Sequence, residues 1–320
     1  EVLIKGIEIT SYNPVTSGPD TEPADQRSFI RALKSARMDV LDSRVTYLGN
    51  GIMPGGDSRP QIQKEGGTYG ISWRIPDDML GVDVATGWVE NNLFYKNFFG
   101  SYSYGTSGMT WRNNHYLEND VYGLDPHDDS NSALVENNVF ERNGKHGFIA
   151  SKRCNYNIIR NNTSLNNGLH GFMLHQDSAY NLMENNVSYG NTDNFAVFAS
   201  DFNTIRNNTS YNARSSHIRI NEGSKNSYIS DNTLVGGKKG VYVYGKSENV
   251  AIRSNIISGV KDVLTTEGAT NVLFSGNTIG ALSFRLNKED RLIYGSNTVN
   301  GRNITVPNQV PFPDGFTTKK

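Results

Sequence analysis

The sequence predicts an all-β chain wound as a right-handed parallel β-helix of roughly ten coils, and three observations carry that prediction. An asparagine recurs at Asn92, Asn114, Asn138, Asn162, Asn186, Asn208, Asn232, Asn255 and Asn277, at spacings of 22, 24, 24, 24, 22, 24, 23 and 22. A second string keeps step with it: "YGLDPH", "HGFIAS", "HGFMLH", "NFAVFA", "SHIRIN" and "KGVYVY". Between these markers the chain alternates apolar and polar residues in runs too short for helices. A period in this range, built from short strands and polar turns, is the mark of a solenoid in which each repeat forms one coil on its neighbour.

Composition agrees with a folded chain. Mean hydropathy is −0.53, but with 10% aromatic residues and 32 glycines the composition is not that of a disordered chain. The 320 residues suffice for a large core. Net charge is −1, so no global field draws the chain to nucleic acid or a membrane. No apolar run approaches the ~20 residues that span a bilayer. The single cysteine, Cys154, excludes an intrachain disulfide framework and a multi-cysteine metal site. The chain starts at Glu1 with no signal peptide in it, which reads as a trimmed mature form.

Three regions follow. In residues 1–37, a strand and loop precede a stretch, "ADQRSFIRALKSARMDV", in which Phe29, Ile30, Leu33 and Met38 fall near one helical face; a helix capping the first coil is expected there. Residues 38–285 form the β-helix. Residues 286–320 are a fading coil and the Pro-rich tail "VPNQVPFPDGFTTKK". The repeated asparagines are expected to stack as an amide ladder at a corner, which makes the sequons at Asn161, Asn162, Asn186, Asn207, Asn208 and Asn303 weak signs of glycosylation.

Alternation assigns side chains to the inside or the outside. In "YGLDPH", Leu124 and Pro126 point in, while Asp125 and His127 point out; in "HGFMLH", Phe172 and Leu174 point in, while Met173 and His175 point out. Stacking the strings predicts one outward column of Asp125, Ile149, Met173, Val197, Arg219 and Tyr242. A second runs His127, Ser151, His175, Ala199, Asn221 and Tyr244, with Tyr122, His146, His170 and Asn194 at the strand entrance. Four of the six histidines thus fall on three adjacent coils of one face, beside Lys145, Lys152, Arg153 and Arg219, with His217 further along. No HExxH or Cys/His spacing is present, so a metal is not indicated. The face reads as a groove for a linear acidic chain: basic groups for its carboxylates, and Tyr95, Tyr102, Tyr104, Tyr122, Tyr242 and Tyr244 for its rings.

With those residues in view, the chain resembles the mannuronan C5-epimerases. "YGLDPHDDS", "KHGFIASKR" and "LHGFMLHQDS" carry the resemblance, which runs from "RSFIRAL" to the last coils and is nearest the calcium-independent periplasmic bacterial and brown-algal types. It implies a right-handed parallel β-helix that removes the C5 proton of a β-D-mannuronate within a polymer and returns one to the opposite face, giving α-L-guluronate. Carried over, His127 is the base, Tyr122 faces it across C5 (a water takes that place in the periplasmic type), and Asp125 belongs to the motif. Lys152 by motif, or Arg153 by count, neutralises the carboxylate. Leu169 and Tyr102 stand where some members have Arg and Lys. His146, His170, His175, Asp128, Lys145, Arg219, Tyr102, Tyr104 and Tyr242 are expected to contact substrate. The chemistry requires no cofactor; calcium is compatible with it but not indicated. The expected partner is alginate or polymannuronate, the expected state a monomer, and the expected location extracellular or periplasmic.

The chemistry explains the residue types. A proton α to a carboxylate is scarcely acidic, so a fixed cation must cancel the charge that develops, a contribution typically worth ~2.7–4 kcal/mol. A histidine titrates near working pH and serves as base, and Asp125 or Asp128 can orient it. Three other functions fit less of the pattern: a lyase that expels the C4 oxygen from the same carbanion, a hydrolase with two carboxylates across the scissile bond, and a polysaccharide-binding β-helix without turnover.

Overall fold

Each repeat folds as three short strands separated by turns, and the strands of successive repeats pair in parallel. A computed structural model describes residues 1–22, 27–51, 68–287 and 290–304 of the chain. Three sheets of 12, 13 and 11 strands run the length of the stack. A representative coil enters the 11-stranded sheet at Leu124–His127, crosses to the 12-stranded sheet at Leu134–Glu136 and to the 13-stranded sheet at Val139–Glu141. It then re-enters the first sheet at Phe148–Ser151, with Leu124 opposite Phe148 and His127 opposite Ser151. One apolar column fills the interior, and Trp73, Trp111, Tyr116, Phe94, Phe140, Phe148, Phe172 and Phe195 are fully buried in it.

The asparagine ladder forms as the spacing predicts. Asn162 accepts from the backbone N–H and the side-chain amide of Asn138 at 2.8 and 3.0 Å, and donates to the Val135 carbonyl at 2.9 Å and to Asn186 at 3.0 Å. A second ladder runs Asn97, Asn119, Asn143, Asn167 and Asn191 at another corner. Serines build a third: Ser178 Oγ accepts from the Cys154 N–H, Ser200 Oγ from Ser178 and Ser224 Oγ from Ser200, so Cys154 occupies a serine-ladder position. These bonds satisfy backbone groups that the turns would otherwise bury unpaired. Of the sequon asparagines, Asn162, Asn186 and Asn208 are buried in the ladder, whereas Asn161 and Asn207 are exposed beside it.

One column fixes coil-to-coil register electrostatically. The residues before the asparagine pairs alternate in charge: Glu90, Arg112, Glu136, Arg160, Glu184 and Arg206 lie opposite one another on successive strands. Arg112 and Arg160 both bond Glu136, and Arg206 bonds Glu184 at 2.8 Å. A slip of one coil would set like charges face to face.

Three expectations are corrected. There is no capping helix among the described residues: Ile30–Leu33 and Met38–Leu41 are strands, Ile30 pairing with Ile71 and Met38 with Val2. The run is amphipathic at both periods, and parallel pairing wins; Ala32 and Met38 go inside while Phe29 and Leu33 stay exposed. The β-helix also extends beyond residues 38–285. Val2–Lys5 and Glu8–Thr10 open the stack, and Leu292–Tyr294 and Asn297–Val299 continue it in parallel before Arg302–Ile304 turns back antiparallel. The Pro-rich tail lies outside the described residues.

The third correction concerns register on the 11-stranded sheet. Met173 lies opposite Ala196, and His175 opposite Phe198, so Ala196 and Phe198 replace Val197 and Ala199 in the outward columns. Val197 pairs with Leu174 and is fully buried. The cause is the coil between Asn186 and Asn208, which is two residues shorter than the three before it.

Candidate active site

The strand entrance turns on a glycine. A Cβ at Gly123, Gly147 or Gly171 would meet the carbonyl of the next coil at 2.4–2.8 Å and side chains of the interior. The glycine lets the backbone pass close to its neighbour, and the residue before it, Tyr122, His146 or His170, is thrown outward. In the shortened coil Asn194 takes the glycine position and points in, bonding Ser210 Oγ at 2.7 Å, while Asp193 takes the outward place. His217 likewise lies inside, with Nδ1 on Ser210 Oγ at 2.6 Å, and is not a groove residue. Tyr95 is on the 13-stranded sheet, packed against Tyr47, and is also excluded from the groove.

The outward face of the 11-stranded sheet is a valley. Its floor runs Tyr102, Asp125, Ile149, Met173, Ala196, Arg219 and Tyr242. One wall stacks Tyr122 on His146 at 5.0 Å and His146 on His170 at 4.8 Å. The other runs Tyr104, His127, Ser151, His175 and Phe198. Tyr122 and His127 therefore stand on opposite walls with Asp125 between them.

His127 is held by the turn after its strand. Asp128 and Asp129 both adopt left-handed backbone, φ 27° and 60°, which folds Asp128 back so that its carboxylate binds His127 Nδ1. Among the described residues Nε2 is thereby left as the free ring nitrogen. Lys152 and Arg153 repeat the two-residue left-handed turn one coil on, at φ 62° and 59°, although neither is a residue that favours it. Backbone bonds to the next coil hold them there, from Lys152 N–H to the His175 carbonyl at 2.8 Å and from Arg153 N–H to Gln176 at 3.0 Å. Arg153 clasps both acids, with Nη2 at 2.9 Å from Asp128 and from Asp129. Burial works to raise the Asp128 carboxyl, but the bond from His127, with Lys152 and Arg153 nearby, outweighs it and holds Asp128 below the usual value. Asp128, not Asp125, is the residue that orients His127.

Asp125 is different. It is 2% exposed, and among the described residues its Oδ1 has no hydrogen-bond partner. Burial lifts its carboxyl to about 7, against the pull of His127 and with a further push from Asp128. A raised carboxyl favours the folded state while protonated, so this stability is complete below the unfolded value and is lost as pH rises toward 7. Asp125→Asn should therefore gain in stability relative to the parent between about pH 4 and 7 and hold that gain above 7. Denaturant midpoints of both chains at pH 4.5 and 8 check this; equal differences at the two pH values would contradict it.

The remaining predicted residues separate into those at the surface and those behind it. His175, Tyr104, Tyr242 and Lys145 are partly exposed. Tyr104 lies parallel to His127 at 6.5 Å, and Tyr242 donates to Glu267 at 2.7 Å. Tyr102, His146 and His170 are buried, and present at most a ring edge to a substrate; the first supports the floor and the two histidines a wall. Tyr102 stacks under Tyr69 at 3.9 Å. His170 and Asp193 close on Arg219, whose guanidinium lies 3.1 Å from Asp193 and 3.0 Å from His170 Nε2. Burial lowers His170 to about 3 and His175 to about 4, so both are neutral donors or acceptors. Burial, then Asp125, raises the Tyr122 phenol, so it keeps its proton. The sequence reading missed Asp193 and Phe198, both displaced by the shortened coil; the 22-residue spacing was the signal. Among the described residues no group of three His, Cys, Asp or Glu side chains is placed to hold a metal.

Against known proteins, the family described as "Right handed beta helix region" matches residues 32–176 and 128–257. The chain belongs to the right-handed β-helix family. It is similar to a mannuronan C5-epimerase of Pseudomonas fluorescens, 33% identical over 145 residues, which is 43% of this chain and 25% of that protein. A mannuronan C5-epimerase of Pseudomonas putida is 27% identical over a stretch of the same length, with the same coverage. The matched stretch thus spans a quarter of these relatives. Among solved structures, the periplasmic alginate epimerase AlgG superposes with a TM-score of 0.68 at 22% identity, over 92% of this chain and 70% of that one. The A-module of an Azotobacter vinelandii mannuronan C-5 epimerase gives 0.54 at 17%, over 97% of this β-helix chain and 91% of that module. At these identities the structural likeness is one of fold.

Proposed function

We propose that this β-helix is a mannuronan C5-epimerase, converting β-D-mannuronate to α-L-guluronate within a linear polyuronate. The observation that carries the reading is His127, fixed through Nδ1 by Asp128 with Nε2 free, beside two cations on one turn and across the valley from a protonated Tyr122. The similarity to mannuronan C5-epimerases of two Pseudomonas species supports it.

The residues divide the work as follows. His127 Nε2 takes the C5 proton, and Asp128 stabilises the imidazolium that forms. Lys152 and Arg153 offset the charge that gathers on the substrate carboxylate. Arg153 is rigid but already balanced by two acids, so Lys152, which makes no ion pair among the described residues, supplies the net positive charge. Tyr122, or a water beside it, returns a proton on the opposite face. No resident cofactor enters these steps. The substrate would be alginate or polymannuronate met outside the cytoplasm, by a chain with no helix long and apolar enough to cross a membrane among the described residues. A hydrolase fits less well: of the candidate acids Asp125, Asp128 and Asp129, the first is too buried to reach a glycosidic oxygen and Arg153 clasps the other two.

The test is an NMR spectrum of polymannuronate incubated with the chain in D₂O. Guluronate signals with deuterium at C5 are expected. Unsaturated uronate absorbance without guluronate would replace the epimerase by a lyase, and binding without either would leave a carbohydrate-binding β-helix.

A further inference from the structure

The cations of the groove face are not equally engaged. Arg219 is closed by Asp193 and His170, and Arg153 by Asp128 and Asp129. Toward the start of the chain, register brings two more arginines onto the same face. Arg31 lies opposite Ser72 in the floor column, which continues through Tyr102 to Asp125. Arg74 lies opposite Tyr104 in the wall column, which continues to His127.

These two guanidiniums are close enough to oppose each other's charge: burial, and then Arg74, holds Arg31 below the usual arginine value. Among the described residues Arg31 has no carboxylate partner, and its Nε is buried without a hydrogen bond. Among the same residues Arg74 has one ion pair, 3.2 Å to Asp77, whose carboxylate is 74% exposed. Both are braced on aromatic faces, Arg31 over Phe29 at 5.0 Å and Arg74 over Tyr104 at 4.5 Å. Two like charges braced on aromatic rings, with donors to spare and no buried counter-charge among the described residues, present a fork for an oxyanion.

We propose that Arg31 and Arg74 form a second carboxylate subsite that clamps a uronate two units along the polymer from the one at His127. This rests on the polyuronate reading above. Arg74 and His127 are two strands apart in the sheet, ~9.5 Å along the axis, which matches two units of an extended chain. On the other side of His127 the floor is Ile149, Met173 and Ala196, which offer no charge to a carboxylate, and the Arg219 that follows them is already closed by Asp193 and His170. The polymer is therefore anchored electrostatically on the side of the earlier coils and slides over an apolar floor on the other.

The test titrates short and long oligomannuronates, and the same long oligomers with carboxyl groups reduced to alcohols, onto the parent, an Arg31→Gln/Arg74→Gln double variant and an Arg31→Lys/Arg74→Lys double variant. The Gln variant should bind long oligouronates ~10–100-fold more weakly, with KM rising while kcat is largely kept. The penalty should shrink on short oligomers and vanish on reduced ones, and the Lys variant should recover part of the affinity. Equal affinity of parent and Gln variant for long oligouronates overturns the subsite, as does an equal loss on reduced oligomers, or a parent that binds no uronate. Charge-dependent binding by a parent that forms no guluronate would keep the subsite and sink the epimerase reading.

Discussion

His127→Ala is expected to abolish guluronate formation, a loss of at least ~10²–10⁴ in rate, while the unfolding midpoint stays close to that of the parent. The side chain projects from the outer face and belongs to no part of the interior column, so its removal leaves no cavity in the core. Its neighbours refine the test. Asp128→Asn keeps the shape of the turn but weakens the grip on Nδ1, and should lower kcat less than loss of the ring itself. Lys152→Ala should lower kcat and move the pH profile only modestly, because its charge helps hold Asp128 low from a distance. Arg153→Ala should shift that profile as well, because Arg153 holds the Asp128 that holds His127. A His127→Ala chain that still forms guluronate at near the parental rate would show that the proton is taken elsewhere on this face.

The groove was legible to the extent that alternation and stacking hold. Asp125, His127, Met173 and His175 fall where period-two reading puts them, because their two strands contribute only four residues each before a turn resets the phase. What sequence could not convey was depth. Asp125, His146 and His170 point outward yet are nearly covered, the two histidines because rings on adjacent coils stack at about the strand spacing. Depth sets the electrostatics here: it lifts the Asp125 carboxyl toward neutrality and leaves Asp128, one residue outside the strand, to hold His127. The misplaced columns beyond Met173 share one origin. A uniform period carries the count forward, but coils shorten at corners, and a shift of one residue exchanges inside for outside. The same logic explains the N-terminal stretch, where an apolar face fits a helix until a neighbouring strand offers an edge to pair with.

The second large effect lies in the ladder, and it ties the groove to the opposite corner of the coil. Asn162→Ala removes an acceptor from the backbone N–H and side-chain amide of Asn138, and a donor from the Val135 carbonyl and Asn186. The position is 1% exposed, so water does not readily replace these bonds. Each buried group left unsatisfied costs about 1–3 kcal/mol, and the set together roughly 3–6 kcal/mol. The neighbour provides the control. Asn161 is exposed with φ 56°, so Asn161→Gly keeps the left-handed turn and should change stability by less than about 0.5 kcal/mol. Denaturant unfolding of the three chains measures the contrast. The coil that Asn162 anchors also carries Lys152 and Arg153, so the variant should lose activity on warming before the parent does. If Asn162→Ala unfolds at the same denaturant concentration as Asn161→Gly, strand pairing alone sets the register and the ladder contributes only packing.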